Sequence, residues 1–270
     1  MKLLNGKELA DYIKERQAHQ VRGLRQANNV EPALAIIVTT NNPVIDLYVE
    51  LKKKYGSDIG VEVFVYRVLM GEVEGLIEQL NKDDKIHGII VQLPLGDISK
   101  TDEVVNMIAA EKDVDALSQK SVFQPATPMA IMWLLSGYNI DLRGKKILLI
   151  GRGRLVGAPL EKQMLEEGLD VSVAVRDTRN LKEMALQADV IISAAGSPAI
   201  LFSDMIKDGA VVVDAGVASE DGKTIGDVAP EVYERDDLKI TPVKGGVGPL
   251  TVTALFDNVI RAARNSVIKE

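Results

Sequence analysis

The chain has 270 residues, 46% of them hydrophobic and 26% charged, with a formal net charge of −7. That length favours two domains over one, and the acidic balance argues against a nucleic-acid or anionic-membrane partner, which would need a basic patch. Cysteine is absent, so disulfides, thiolate catalysis and thiolate metal sites are excluded, and a cytoplasmic setting is weakly favoured.

The opening MKLLNGKELADYIK alternates charged and apolar residues at helical spacing and lacks a signal-peptide core. Continuous β-branched runs predict buried strands at 33–39, 61–68 and 86–93, with helices at 43–56, 72–80 and 101–110. A helix over 127–138, with Pro128 in its first turn, precedes further strands at 145–151, 170–175, 189–194 and 210–215. Helices are expected among these at 156–167 and 181–187, and a last one over 251–264. The longest apolar run, 129–135, is far too short to span a bilayer. Strands alternating with helices imply right-handed crossovers. The fold class is therefore α/β, with two α/β domains, the second a Rossmann-type doubly wound, mostly parallel sheet. The helices at 127–138 and 251–264 are expected to bridge the domains.

The turn Gly151-Arg-Gly-Arg-Leu-Val-Gly157 joins a strand to a helix, where a dinucleotide fold places its phosphate loop. The spacing is GxGxxxG rather than GxGxxG, so position carries the assignment; a merely tight strand–helix turn is the alternative. The next strand ends in Arg176-Asp177, and Arg152 lies in the loop itself. Two guanidiniums can fork onto a 2′-phosphate, which favours NADP over NAD, while Asp177 could pair Arg176 or accept from a ribose. The segment Thr241-Pro-Val-Lys-Gly-Gly-Val-Gly-Pro-Leu-Thr251 holds three glycines and two prolines. It reads either as backbone running close against a ligand or as a plain domain-crossing loop.

In the first half, Val44, Leu47, Tyr48, Leu51 and Tyr55 fall on one helical stripe, the expected buried face, with Lys52 at its edge. A desolvated lysine beside a phenol can move protons; a lysine snorkelling from a core edge is the plainer reading. Gln92 ends a fully apolar strand just before Pro94, where open α/β sheets form their ligand crevice. Asp113 and Asp115 occupy alternate positions of an expected extended segment, so they would face the same way and accept from ligand N–H groups; no metal is expected. Tyr48-x-x-x-Lys52 also marks short-chain dehydrogenases, but there it follows the nucleotide fold and here it precedes the glycine loop. His19 and His87 read as surface and strand-edge residues, and Trp133 as packing.

Taken in order, these residues resemble the bifunctional methylenetetrahydrofolate dehydrogenase/methenyltetrahydrofolate cyclohydrolase family. The similar elements are Tyr48-x-x-x-Lys52, Val91-Gln-Leu-Pro-Leu95, Lys112-Asp-Val-Asp115, Pro125-Ala-Thr-Pro128, Gly151-Arg152 through Val156-Gly-Ala-Pro159, and the glycine-rich run to Pro249. The resemblance implies a cleft between the halves that binds tetrahydrofolate and NAD(P) together. It implies catalytic roles for Lys52, Tyr48, Gln92 and Asp115: Lys52 as the key group, Gln92 bonded to it, Tyr48 stacked on the folate, and Asp115 holding the pterin. Pro94, Gly246 and Pro249 would join Tyr48 and Asp115 around the substrate. Gly151, Arg152, Gly153, Arg154, Val156 and Gly157 would hold the cofactor, with Arg176, Thr127, Gly245 and Gly248. It further implies a folate-binding domain over 1–124 plus 250–270, a nucleotide domain over 125–249, and a cytoplasmic homodimer serving one-carbon metabolism and purine biosynthesis. The chain departs from the family pattern at Ile45, Ala116, Ala130, Gly153 and Lys244, at the pair Val175-Arg176, and in a shortened segment after Ala116. A shikimate-dehydrogenase-like enzyme would need neither the VQLPL nor the GGVGP segment, and a non-catalytic nucleotide-binding module would not need the polar set.

Overall fold

Nearly unbroken Val/Ile/Leu runs leave the central strands no polar face to turn to water, the pattern of parallel sheets covered by helices on both sides. The computed structural model describes residues 1–216, 218–220 and 223–268, and these form two units.

In chain order the elements are β1 (Lys2–Leu3), α1 (Gly6–Asn28), β2 (Ala33–Val38), α2 (Pro43–Ile59), β3 (Glu62–Arg67), α3 (Val73–Lys82), β4 (Gly88–Val91) and α4 (Thr101–Asn106). They continue with α5 (Ala126–Gly137), β5 (Lys146–Ile150), α6 (Gly157–Glu166), β6 (Asp170–Ala174), α7 (Leu181–Gln187), β7 (Val190–Ser193) and β8 (Val211–Asp214). The short strands β9 (Ala218–Glu220), β10 (Lys223–Ile225) and β11 (Lys239–Ile240) precede the final helix α8 (Val247–Ile268).

One unit, residues 11–126 and 252–270, is built on a parallel sheet of order β3-β2-β4. Ala35, Ile37, Ile89 and Val91 of that sheet pack against Val73, Ile77 and Leu80 of α3 and Val104 of α4. The other unit, residues 1–10 and 127–251, carries a six-stranded sheet of order β1-β11-β8-β7-β5-β6, parallel throughout, beside the separate antiparallel pair β9–β10. Strand order reverses at β5: the chain steps to β6 on one side, then returns to β7 and β8 on the other. The gap beyond the carboxyl ends of β5 and β7 is thus the switch point where a doubly wound sheet takes ligands.

The expected domain boundary needs one correction. Residues 1–10 belong with the six-stranded unit, because Lys2 and Leu3 extend its edge on β11, in register with Lys239 and Ile240. A two-residue strand carries no periodicity to read. The bridging expectation also changes: α5 lies almost wholly in the six-stranded unit, whereas α1 and α8 each start in that unit and end in the other.

Candidate functional site

Helix α2 starts on Asn42, whose side chain accepts from Val44 N at 2.9 Å, with Pro43 in the first turn. It ends at Gly60, which takes φ 85°. The expected buried stripe is corrected by the structure. Val44, Leu47, Tyr48 and Leu51 are exposed, and Tyr55 is half-buried. The helix instead buries Ile45, Val49, Gly56 and Ile59. Lys52 falls within that second stripe by spacing and is half-buried, while Lys53 faces out to Glu50. Gly56 is fixed here by close packing, since a Cβ would stand 2.5 Å from Val63 Cγ2 and 2.9 Å from Val61 O.

Lys52 Nζ donates to Gln92 Oε1 at 2.8 Å, and Gln92 Nε2 donates to Leu93 O at 3.3 Å. Gln92 stands one residue past β4, and its backbone N–H continues the ladder to Ile37 O. The Leu93–Pro94 peptide is cis, and Pro94 is exposed. Burial pulls the Lys52 amine below its ordinary value, and the negative charge of Asp115 opposes that pull. Burial also raises the Asp115 carboxyl; Lys52 counteracts this and Asp113 adds to it. An amine and a carboxyl are thereby both shifted toward neutrality within one small cluster.

The two aspartates do not share a face as expected, because the segment is a turn closed by Ala116 N to Asp113 O at 3.1 Å. Asp113 is fully buried and structural: its carboxylate accepts from Leu117 N at 3.3 Å and Ser118 N at 2.9 Å. Asp115 is the one placed in the field of Lys52. Ala116 holds the turn in the left-handed region at φ 56°. Asn258 of α8 ties both ends of this shortened segment, donating to Val114 O at 2.9 Å and Gln124 O at 2.8 Å. Ile45, where the resemblance expects serine, is a core side chain. His87 accepts from Ala33 N through Nδ1 at 3.2 Å and is buried; desolvation and the nearby Lys112 lower its pKa. His19 is exposed and Trp133 half-buried.

In the six-stranded unit, Gly151 leaves β5 at φ 94°, and a Cβ there would lie 2.6 Å from Ala194 O. A Cβ on Gly157 would lie 2.1 Å from Gly151 O, so two of the three glycines are required by backbone contact. Gly153 has open space around it and sits exposed with Arg152 and Arg154, while Val156 precedes the first turn of α6. This bare-backbone cradle at a helix N-terminus fits a pyrophosphate. Arg152 Nε donates to Glu161 Oε2 at 2.6 Å, so this guanidinium is engaged within its own loop and helix. Arg176 is exposed in the turn after β6, two residues beyond Ala174, whose carbonyl accepts from Gly151 N at 2.8 Å.

Gly245 takes φ 86° and its carbonyl accepts from Lys7 N at 2.9 Å; Gly6 packs so tightly on Gly246 that a Cβ would meet its oxygen at 1.8 Å. Gly248 is exposed, Pro249 half-buried, and Thr127 lies 3.4 Å from the Thr251 hydroxyl. Lys52, Gln92 and Asp115 are thus gathered in one unit, and the glycine-loop residues in the other. Sequence reasoning missed Glu161, Asp214 and Asp227. The last two are single acids after apolar or glycine residues, with no spacing that marks them. Among the described residues, no group of three or more His, Asp or Glu side chains could hold a metal ion, and no helix is long and apolar enough to cross a membrane.

Known proteins match the chain over nearly its whole length. A family model described as the tetrahydrofolate dehydrogenase/cyclohydrolase catalytic domain matches residues 4–115, and its NAD(P)-binding counterpart matches 125–267. The bifunctional protein FolD of Campylobacter jejuni is 40% identical over 280 aligned positions, covering 98% of this chain and 99% of its own. A crystal structure of that Campylobacter jejuni bifunctional dehydrogenase/cyclohydrolase superposes with a TM-score of 0.93, at 40% identity and 98% and 99% coverage. The Trypanosoma brucei dehydrogenase-cyclohydrolase, complexed with NADP cofactor and inhibitor, superposes with a TM-score of 0.91 at 29% identity, covering 98% of each chain.

Proposed function

Because the chain belongs to the tetrahydrofolate dehydrogenase/cyclohydrolase family, we propose that it carries out two successive steps on one-carbon tetrahydrofolate. The first is NADP-dependent oxidation of 5,10-methylenetetrahydrofolate to the 5,10-methenyl cation. The second is hydrolysis of that cation to 10-formyltetrahydrofolate. The observation that carries the reading is the half-buried Lys52 amine, bonded to Gln92 Oε1 at 2.8 Å and facing the charge of Asp115.

NADP, when bound, supplies the acceptor for the hydride that leaves the methylene bridge. The Gly151–Gly157 cradle would hold its pyrophosphate, and Arg176 its 2′-phosphate. Gly245 and Gly248, with Thr127, complete the cofactor contacts in this reading, and Gly246, Pro94 and Pro249 border the substrate. Tyr48, exposed on α2, stacks on the folate, and Asp115 accepts from pterin N–H groups.

In the hydrolytic step, water adds to the bridging carbon and Lys52, uncharged, takes its proton. When the C–N5 bond breaks, the lysine returns that proton to N5, and the O–H proton of the intermediate leaves to solvent as the formyl carbonyl forms. One proton is released per cation hydrolysed, and the amine ends as it began. Gln92 accepts from the amine and keeps it aimed; burial lowers the amine's pKa and so favours the uncharged form this step uses. The enzyme is further read as a cytoplasmic homodimer that feeds one-carbon units to purine biosynthesis, and light scattering on the purified protein tests the dimer.

The decisive assay mixes protein, methylenetetrahydrofolate and NADP, following reduced nicotinamide and the methenyl chromophore together. Turnover that first accumulates and then consumes methenyl absorbance is expected; no turnover with either NADP or NAD removes the proposal.

A further inference from the structure

Asp227 is fully buried, yet its carboxylate is not spent inside an element. Oδ2 accepts from Ser193 Oγ at 2.6 Å and Ala195 N at 2.8 Å, and Oδ1 accepts from Ser197 N at 2.8 Å. All three donors lie at the end of β7 or in the loop after it, and residues 195–198 of that loop are exposed. A second carboxylate supports the first: Asp214 accepts from Asp227 N through Oδ1 and from Val228 N through Oδ2, each at 3.1 Å. The packing is close enough that a Cβ on Gly216 would stand 2.1 Å from the Asp227 carboxylate, and one on Gly226 would stand 2.1 Å from Asp214 Oδ2. Two neighbouring carboxylates in a low-dielectric interior are unfavourable unless something requires them.

What they hold is the far wall of the switch point. The loop after β7 faces the loop after β5 there, and the two already touch, with the Ala194 carbonyl packed on Gly151. Resting on the reading of this unit as an NADP site, we propose that Asp227 is a positioning residue for the dinucleotide. It pins residues 194–197 as one wall of the crevice and, through Ala194, fixes Gly151 and the phosphate loop. Only an acceptor at both oxygens serves. Asn at this position turns an NH₂ group toward one of the backbone N–H donors and releases that side of the loop.

The test is Asp227→Asn, assayed for NADP binding by calorimetry, for dehydrogenase KM and kcat, and for cyclohydrolase rate on preformed methenyltetrahydrofolate, a step that uses no nicotinamide. The expected result is an affinity and KM for NADP weakened by about tenfold or more, the loss of one charge-assisted hydrogen bond. Excess NADP restores kcat, and the cyclohydrolase rate stays within about twofold. Unchanged NADP affinity in a variant with intact cyclohydrolase overturns the proposal. Should Asp227→Asn lose both activities through misfolding, Ser193→Ala decides, since it deletes one donor only. A loss of about threefold or more in NADP affinity then supports the proposal, and no change sinks it. Wild-type protein that fails to bind NADP rejects instead the underlying functional reading.

Discussion

Replacing Lys52 by methionine separates what this side chain does for the reaction from what it costs the fold. Methionine keeps the long apolar stem on the stripe that α2 buries with Ile45, Val49, Gly56 and Ile59. Burial sets the folded amine below the ordinary lysine value of 10.5, so between the two values the unfolded chain binds more protons. Stability therefore rises with pH across that window, and at neutral pH the fold carries the cost of the buried amine. The variant removes that cost and also loses the 2.8 Å bond to Gln92, worth about 0.5–3 kcal/mol across the amine's uncharged and charged forms. These oppose each other, so the melting temperature at pH 7 is expected to move by no more than about 3 °C. Activity has no such offset. Loss of a positioned acid–base group lowers the cyclohydrolase rate about a hundredfold to ten-thousandfold, or about 2.7–5.4 kcal/mol of activation free energy. The decay of methenyl absorbance, a thermal melt and folate titration together read the outcome, with folate affinity largely kept. Retention of more than about a tenth of the wild-type rate would refute the assignment. A melt lowered by about 10 °C would instead make Lys52 a structural prop.

Gln92→Glu places a carboxylate beside the amine in place of the amide at 2.8 Å. It should raise the lysine pKa and move the acid limb of the cyclohydrolase pH profile upward; no movement, or movement down, disproves the coupling. Gly157→Ala forces a methyl to within 2.1 Å of Gly151 O, and calorimetry should show NADP binding weakened by at least about tenfold with cyclohydrolase kept. Asn258→Ala removes the donors to Val114 O and Gln124 O, so chemical denaturation should record a loss of about 2–3 kcal/mol and cyclohydrolase should fall with it as Asp115 loses its support. Ala116→Gly relieves the φ 56° backbone and should raise the melting temperature by about 2 °C.

Much of the fold is legible because its central strands are continuous apolar runs. The β2 run and the β5 run stand out at once, and their flanking helices carry clear periodicity. The two-residue strands β1 and β11 are invisible for the opposite reason, and with them went the assignment of residues 1–10. The Gly151 turn was readable because φ 94° and a neighbouring carbonyl leave glycine as the only fit. Asp227 was not, since its meaning lies in contacts with residues 30 to 34 positions earlier. The Asp113–Asp115 segment misled because alternation implies a common face only in an extended chain, and here the chain turns.

The largest misreading sits where the chemistry is proposed. Hydrophobicity alone would have α2 bury Val44, Leu47, Tyr48 and Leu51, but these are 50%, 59%, 39% and 45% exposed. Position 52 on the buried side carries an amine instead. Turned the other way, the helix would cover these side chains but uncover Ile45, Val49 and Ile59, exchanging apolar burial rather than gaining it, and would leave its lysine in water. Apolar burial therefore does not by itself choose the face, and the proposed role of Lys52 calls for the observed one. In the proposed function Lys52 must give up its proton, which its burial favours by lowering its pKa, and Tyr48 must offer an open face to stack on a ring. The proposed function places both demands on the same rotation of one helix, at the point where a rule that holds along most of the chain fails.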